Sequence, residues 1–233
     1  MLQCSRSLRQ ITNRSTSLDE AATAIVGYLY SQFADPVSKE PQCALVRFYK
    51  TNALQLLDDR RQDFARRKFL VGTLEEDTRI LTLVATTGLK PEWCDPLLSQ
   101  DHQAIPLLSV EMVEQAPMIA GLIKAIGLDI ADVLGPSISL LNDAQGKTYN
   151  VFHVERAPGS PLIPVQRDFV EAYGIASVIG FGGVLPNGDF FALVMFSKVT
   201  VPAASAARFR SVALDVKAIL HPFASPAHDD WTY

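Results

Sequence analysis

The sequence predicts an α+β domain built on a largely antiparallel sheet. Three observations lead there. Two apolar runs of strand type flank Pro186-Asn187-Gly188-Asp189, and Asn-Gly is the strongest short signal for a tight hairpin. Further strand-like runs occur at Cys43–Lys50, Arg79–Thr86 and about Thr148–Glu155. Amphipathic helical patterns, Ser17–Phe33 and Pro202–Leu220, bracket all of these strands.

Each element follows from local chemistry. Residues 1–16 are polar and rich in Arg and Ser, with Leu2, Leu8 and Ile11 at the spacing of a short helix or a loose extension. Ser17 and Glu20 form a capping box that opens the first firm helix. Leu18, Ala22, Ile25, Leu29 and Phe33 make its inner stripe, and Asp35-Pro36 ends it. After the first strand a helix is expected over Asn52–Phe69, with Leu54, Leu57, Phe64 and Ala65 inward and Gly72 as the break.

Gly88, Pro91 and Pro96 then mark a long loop after the second strand. Val110–Ile126 holds one or two helices, with Pro117 at the start of the second. Gly135-Pro136 and Asn142–Gly146 read as turns before the third strand. Ala157–Pro161 is irregular, and Val165–Tyr173 is helical. In the second arm of the hairpin Phe190, Ala192, Val194 and Phe196 face one way, and Phe191, Leu193 and Met195 the other. Both faces are apolar, which places this strand mid-sheet under cover on both sides. Phe209, Val212, Ala213, Val216, Ile219 and Leu220 line the inner side of the last helix, and His221-Pro222 stops it.

Composition bounds the function. A chain of 233 residues can bury roughly 70–75% of its unfolded surface, so no covalent staple is needed. The net charge of -4 speaks against a general nucleic-acid binder, which needs a basic surface. Cys4, Cys43 and Cys94 show no metal-ligand spacing, and their low, odd number fits reduced thiols in a cytoplasm. No apolar run of about 18 residues could span a bilayer, and Met1–Arg9 lacks the apolar core of a signal peptide. The expected protein is cytoplasmic, with no membrane or nucleic-acid partner, no metal, and no cofactor that the sequence can name.

The element order, with its closing hairpin and terminal helix, resembles the GAF family of small-molecule sensor domains, closest to the input modules of bacterial signalling proteins such as sensor histidine kinases. The residues that carry the resemblance are Tyr149–Glu155, Ser160–Pro164, Gly174–Gly183 and Leu185–Phe191. It spans about Ser17 to Leu220 in outline. The resemblance implies a central antiparallel sheet of five or six strands, terminal helices on one face, and loops and short helices enclosing a pocket on the other. It divides the chain into an N-terminal extension (1–16), a GAF-like domain (17–221) and a C-terminal tail (222–233). It also implies a non-enzymatic sensing or regulatory module in bacterial signal transduction, acting through ligand binding and helix-mediated association. The partners it implies are a small molecule and an identical subunit or signalling protein, docked through the Ser17–Phe33 and Arg208–Leu220 helices. No output segment is expected after His221-Pro222, so output would pass through a partner or a change of oligomer.

Four residues are candidates for ligand contact. Arg47 interrupts an apolar strand on the face of Leu45 and Tyr49, and a buried guanidinium needs an anion, from a ligand or from a neighbouring Asp or Glu. His153 could meet a ligand or haem iron; without ligand spacing it reads first as a structural histidine bonded to a backbone carbonyl. Glu155 shares its face by strand alternation, for a ligand or a surface ion pair. Ser177, inside the resembling stretch, is the fourth.

Three further stretches carry residues of chemical interest. Gly180-Phe181-Gly182-Gly183 lacks the Lys-Ser/Thr of a phosphate loop and reads as close backbone approach within a strand. Arg60, Arg61, Arg66, Arg67 and Lys68, interleaved with Asp58, Asp59 and Asp63, read as a solvated helix face. Cys94 is the candidate nucleophile of an alternative function, a thiol-based reductase or redox sensor, since one GAF-type family reduces free methionine sulfoxide with cysteines near its pocket. A second alternative is a degenerate GAF domain that serves only for dimerisation or docking.

Overall fold

Period-two alternation in the closing hairpin sets the two faces of the molecule. In this computed structural model, which describes residues 2–68, 74–135 and 150–224, strand β5 (Ser177–Val184) and strand β6 (Phe190–Ser197) are buried along their whole length. Phe190, Ala192, Val194 and Phe196 join one hydrophobic cluster, while Phe191, Leu193 and Met195 join another across the sheet. The turn between the strands is one residue longer than a two-residue Asn-Gly hairpin. The Gly188 N–H donates to the Leu185 carbonyl at 2.9 Å, the Leu185 N–H donates to the Asp189 carbonyl at 2.8 Å, and Gly188 takes φ +79°. That positive φ is the reason for glycine there.

The other strands are β1 (Cys43–Ala53), β2 (Arg79–Gly88), β3 (Ala104–Pro106) and β4 (Phe152–Val154). The described residues form a six-stranded sheet in the order β3-β2-β1-β6-β5-β4, antiparallel throughout. The expected five or six antiparallel strands are therefore present. β1 and β6 lie at the centre, as the two-sided apolar character of Phe190–Ser197 required.

Helices α1 (Leu2–Thr12) and α2 (Leu18–Gln32) cover one face together with the C-terminal helix α8 (Phe209–Leu220), which a short helix α7 (Ala203–Ala206) precedes. Ser17 caps α2 by accepting the Glu20 N–H at 3.2 Å. The Glu20 carboxylate reaches back one residue further than a standard capping box, to the N–H and hydroxyl of Thr16 at 2.8 and 2.9 Å. α1 packs on both α2 and α8, with Leu8 fully buried and an Arg9–Asp215 ion pair at 3.2 Å.

Between the strands lie α3 (Asp59–Lys68), α4 (Val110–Glu114), α5 (Pro117–Ala125), α6 (Ile130–Leu134) and one wide helical turn of π type, Gln166–Glu171. α3 starts seven residues later than the Asn52–Phe69 pattern implies. Pairing with β2 extends β1 to Ala53, and Asp58 then accepts the Arg61 N–H at 2.9 Å, which sets the helix start at its first turn. β3 and α6 lie in stretches where the sequence pattern predicts no element. The proposed turn at Asn142–Gly146 and the break at Gly72 fall outside the described residues.

Candidate functional site

A cavity of about 480 Å³ opens on the sheet face opposite α1, α2 and α8. Its floor is the sheet itself: Leu45, Arg47 and Tyr49 of β1, Leu81 of β2, Ile105 of β3, and Ala192, Val194 and Phe196 of β6. One wall is α5, with Met118, Ile119 and Leu122. Trp93 and the 98–102 segment form a second, and Ile163–Val165 with Phe169 a third.

Local hydrogen bonds hold these walls in place. A short 3₁₀ turn, Pro91–Trp93, is tied to β2 because the Thr86 hydroxyl donates to the Trp93 carbonyl at 2.9 Å. A second, Pro96–Leu98, is capped by Asp95, which accepts the Leu97 N–H at 2.8 Å. The buried Gln103 amide donates to the Leu97 and Ser99 carbonyls, both at 2.8 Å, and fixes the loop that presents Ser99 and His102. Gln166 does the same for the third wall: its amide donates to the carbonyls of Ala157, Ser160 and Ile163, while its oxygen accepts the Gly159 N–H at 2.7 Å. One side chain thus engages three backbone groups of the irregular Ala157–Pro161 segment and a fourth at Ile163.

Aromatic rings close the apolar end. Trp93 meets Tyr173 edge-on at 4.6 Å between centroids, and Phe169 meets Phe196 at 4.9 Å, nearly perpendicular. The Lys90 ammonium sits 5.0 Å from the Tyr173 centroid and 5.5 Å from that of Trp93, within cation–π range.

The polar groups are few. Arg47, half-buried in the floor, donates from Nη1 to the Tyr49 hydroxyl at 3.2 Å, and its buried Nε meets no acceptor among the described residues. The Ser99 hydroxyl is likewise buried without a hydrogen-bond partner among the described residues. Burial pushes the His102 imidazole down to about 4, the Arg47 charge adds to that, and Asp101 opposes it. His102 is therefore neutral at pH 7. Because its folded value lies below the ordinary 6.5, the unfolded chain binds the extra proton between these two values. This contribution to stability is intact above about pH 6.5 and is lost as pH falls towards 4, on the order of 2–3 kcal/mol in all. A His102→Gln variant is expected to show a flatter melting temperature than wild type between pH 7 and 4.5. Parallel curves for the two proteins would contradict the assignment.

Of the four sequence candidates, the fold brings only Arg47 to this cavity. His153 alternates with Phe152 and Val154, which point to the cavity side, so its ring turns to the helix-covered face and Nε2 bonds the Val201 carbonyl at 2.8 Å. Ser177 is fully buried; its hydroxyl donates to the Val199 carbonyl at 2.8 Å and accepts the Val201 N–H at 3.2 Å, pinning the chain as it leaves β6. Glu155 is exposed just past the end of β4, away from the cavity lining. Cys94 is exposed and lies outside the lining, although its neighbours Glu92 and Trp93 belong to it. Cys43 is buried, and burial raises its thiol to about 12.

Trp93, Ser99, His102 and Phe169 were missed because they sit on loops and short turns whose position depends on tertiary contacts. A signal existed in the Trp93 and Ser99–His102 stretch, where an aromatic and several polar groups cluster beside two prolines rather than on a periodic element. Among the described residues no group of three or more His, Cys, Asp or Glu side chains could hold a metal, and no helix is long and apolar enough to cross a membrane.

No family model matches the chain, and no curated protein matches it by sequence. Solved structures do. The GAF domain from a phosphoenolpyruvate-protein phosphotransferase of Coxiella burnetii is 11% identical and superimposes with a TM-score of 0.51, covering 94% of this chain and 91% of that one. The GAF domain of the Acinetobacter phosphoenolpyruvate-protein phosphotransferase is 17% identical, with the same coverage and a TM-score of 0.43. The phycoerythrobilin-bound GAF domain from a cyanobacterial phytochrome is 9% identical, covering 96% of this chain and 94% of that one, with a TM-score of 0.46. The Coxiella superposition and the antiparallel sheet, with its helices on one face and cavity on the other, define the fold as GAF-like.

Proposed function

We propose that this chain is a cytoplasmic, non-enzymatic sensing or regulatory module of bacterial signal transduction, which binds a small molecule in the cavity on its sheet and acts through helix-mediated association. The cavity carries this reading. Its size lies within the usual range of ligand pockets, its lining is mostly apolar and aromatic, and its polar groups come from Arg47 on the floor, the Lys90–Glu92 pair and the 99–102 segment. Binding is favoured over catalysis by the same groups. Ser99 and His102 both line the cavity, but the Ser99 hydroxyl has no hydrogen-bond partner, so the pair is not joined as nucleophile and base. Association is proposed through the outer side of the helical layer, where Ile11 and Leu214 are 40% and 56% exposed.

Thermal shift against cyclic nucleotides, haem, bilins and organic acids tests the binding. A ligand at about one hundred times its Kd should raise the melting temperature by roughly 5–10 °C. Ile119→Trp, which fills the cavity from its α5 wall, should abolish that rise. Absence of any stabilising compound, or a rise that survives Ile119→Trp, would count against the cavity as the binding site. Sedimentation velocity with and without the stabilising compound tests the output, and a monomer in both states would remove association from the proposal.

A further inference from the structure

Resting on that binding reading, we propose that the ligand is an amphipathic organic monocarboxylate, with its carboxylate on Arg47 and its apolar body against Trp93, Phe169 and Phe196. Arg47 stands in the central strand of the sheet, on the cavity floor, where it is half-buried. A guanidinium carries five donors, and burial without an anion is costly. Yet its one hydrogen bond among the described residues goes to a neutral hydroxyl, that of Tyr49, and no carboxylate oxygen there lies within 4.0 Å of it. The same sheet treats its other inner cations differently. Lys50 and Arg79 both pair with Asp189.

Nearby charges set the sign and size of the missing partner. Lys90 is matched by Glu92 at 3.6 Å. Asp101 pairs with Lys68, which together with the more distant Arg47 charge holds its carboxyl below the usual range, but Arg47 and Asp101 lie beyond ion-pair distance. Among the described residues Arg47 is then the cavity cation with no carboxylate within 4.0 Å, and a single negative charge neutralises it. A dianionic phosphate would bring excess negative charge towards Glu92 and Asp101, both of which also line the cavity. The Ser99 hydroxyl, buried without a partner, supplies a further hydrogen bond to an oxygen of the ligand. The rest of the lining asks for an apolar body: Leu45, Leu81, Leu122 and Val194 complete the aromatic wall.

The test uses indole-3-propionate, 4-phenylbutyrate and decanoate, each beside its uncharged primary amide, with affinity read by calorimetry on wild type, Arg47→Met and Arg47→Lys. At least one acid should bind wild type about tenfold or more tightly than its amide, and Arg47→Met should erase that preference. Arg47→Lys should keep part of it, since a point charge replaces a fork. Without ligand, Arg47→Met is expected to melt at a higher temperature than wild type, because it removes an unmatched cation and fills the same space. That melting curve also reports whether the variant is folded. Amides binding as tightly as acids, or acids binding Arg47→Met undiminished, would overturn the carboxylate assignment while leaving the cavity as a binding site. Failure of every acid to bind wild type would overturn it as well, and stabilisation by an uncharged compound in the thermal-shift panel would then show the binding reading still standing. A fall in the ligand-free melting temperature of Arg47→Met would mean that Arg47 serves the fold rather than a ligand, and would also overturn it.

Discussion

Asp189→Ala is expected to destabilise the protein by about 3–5 kcal/mol, because it strands two inward-facing cations at once. Lys50 pairs with one carboxylate oxygen of Asp189, and Arg79 reaches the other at 3.1 Å. The side chains of Lys50, Arg79 and Asp189 are only 13%, 8% and 10% exposed. Around them the Arg79 guanidinium donates to the Thr51 hydroxyl at 2.7 Å, and that hydroxyl accepts the Phe190 N–H at 2.9 Å. The Asn187 amide donates to the Asp189 carboxylate at 2.7 Å. The network therefore ties the hairpin turn to β1 and β2, and it does so at the edge of the core where water is scarce. Asp189→Asn keeps the shape and part of the hydrogen bonding and should lose less. Chemical denaturation measures both. The exposed Lys124–Glu114 pair is the natural control, and its removal should leave the midpoint unchanged within error. Equal, small losses for Asp189→Ala and the control would show that the buried network contributes little.

Gly182→Ala is expected to cost about 3 kcal/mol or more, or to prevent folding, through a clash that no side-chain movement can relieve. A Cβ at this position would lie 2.1 Å from the Phe191 carbonyl oxygen and 3.0 Å from the Ala192 Cα, both backbone atoms of the neighbouring strand. Relief would require β5 and β6 to separate, in the best-buried part of the sheet. Gly27→Ala makes the opposite prediction in the same experiment. A Cβ there meets nothing within 4 Å, and α2 should gain roughly 0.5–1 kcal/mol from the lost backbone freedom of glycine. A neutral Gly182→Ala would mean that the two strands are less closely paired than their register indicates.

The Gly180–Gly183 stretch illustrates how far local pattern reaches. Its sequence excludes a phosphate loop and points to close approach, and both Gly180 and Gly182 do lie where a Cβ would collide, Gly180 with Leu122 of α5 at 2.4 Å. The two faces of β6 were equally legible, because alternation depends only on the backbone and both clusters follow it residue by residue. Asp189 was not. As a residue beside Asn-Gly it reads as turn chemistry, and its role as the counterion of Lys50 and Arg79 arises from strands more than a hundred residues earlier. β3 was hidden for a similar reason: three residues, Ala104–Pro106, carry no periodic signal, and pairing with β2 makes them a strand.

The candidate site divides along the same line. Arg47 could be singled out because one charge in an apolar strand is visible without coordinates. His153 and Glu155 rested on strand alternation and Ser177 on the resembling stretch alone, and strand facing and chain exit direct all three elsewhere. By itself, the sequence determined the longer elements, the antiparallel class and the two apolar faces of β6, since these follow from short-range periodicity, capping and turn chemistry. Only the tertiary structure decided which loops wall the cavity, that Lys50 and Arg79 share the Asp189 carboxylate, and that Arg47 has no carboxylate within 4.0 Å among the described residues, because those outcomes depend on distances between segments far apart in the chain.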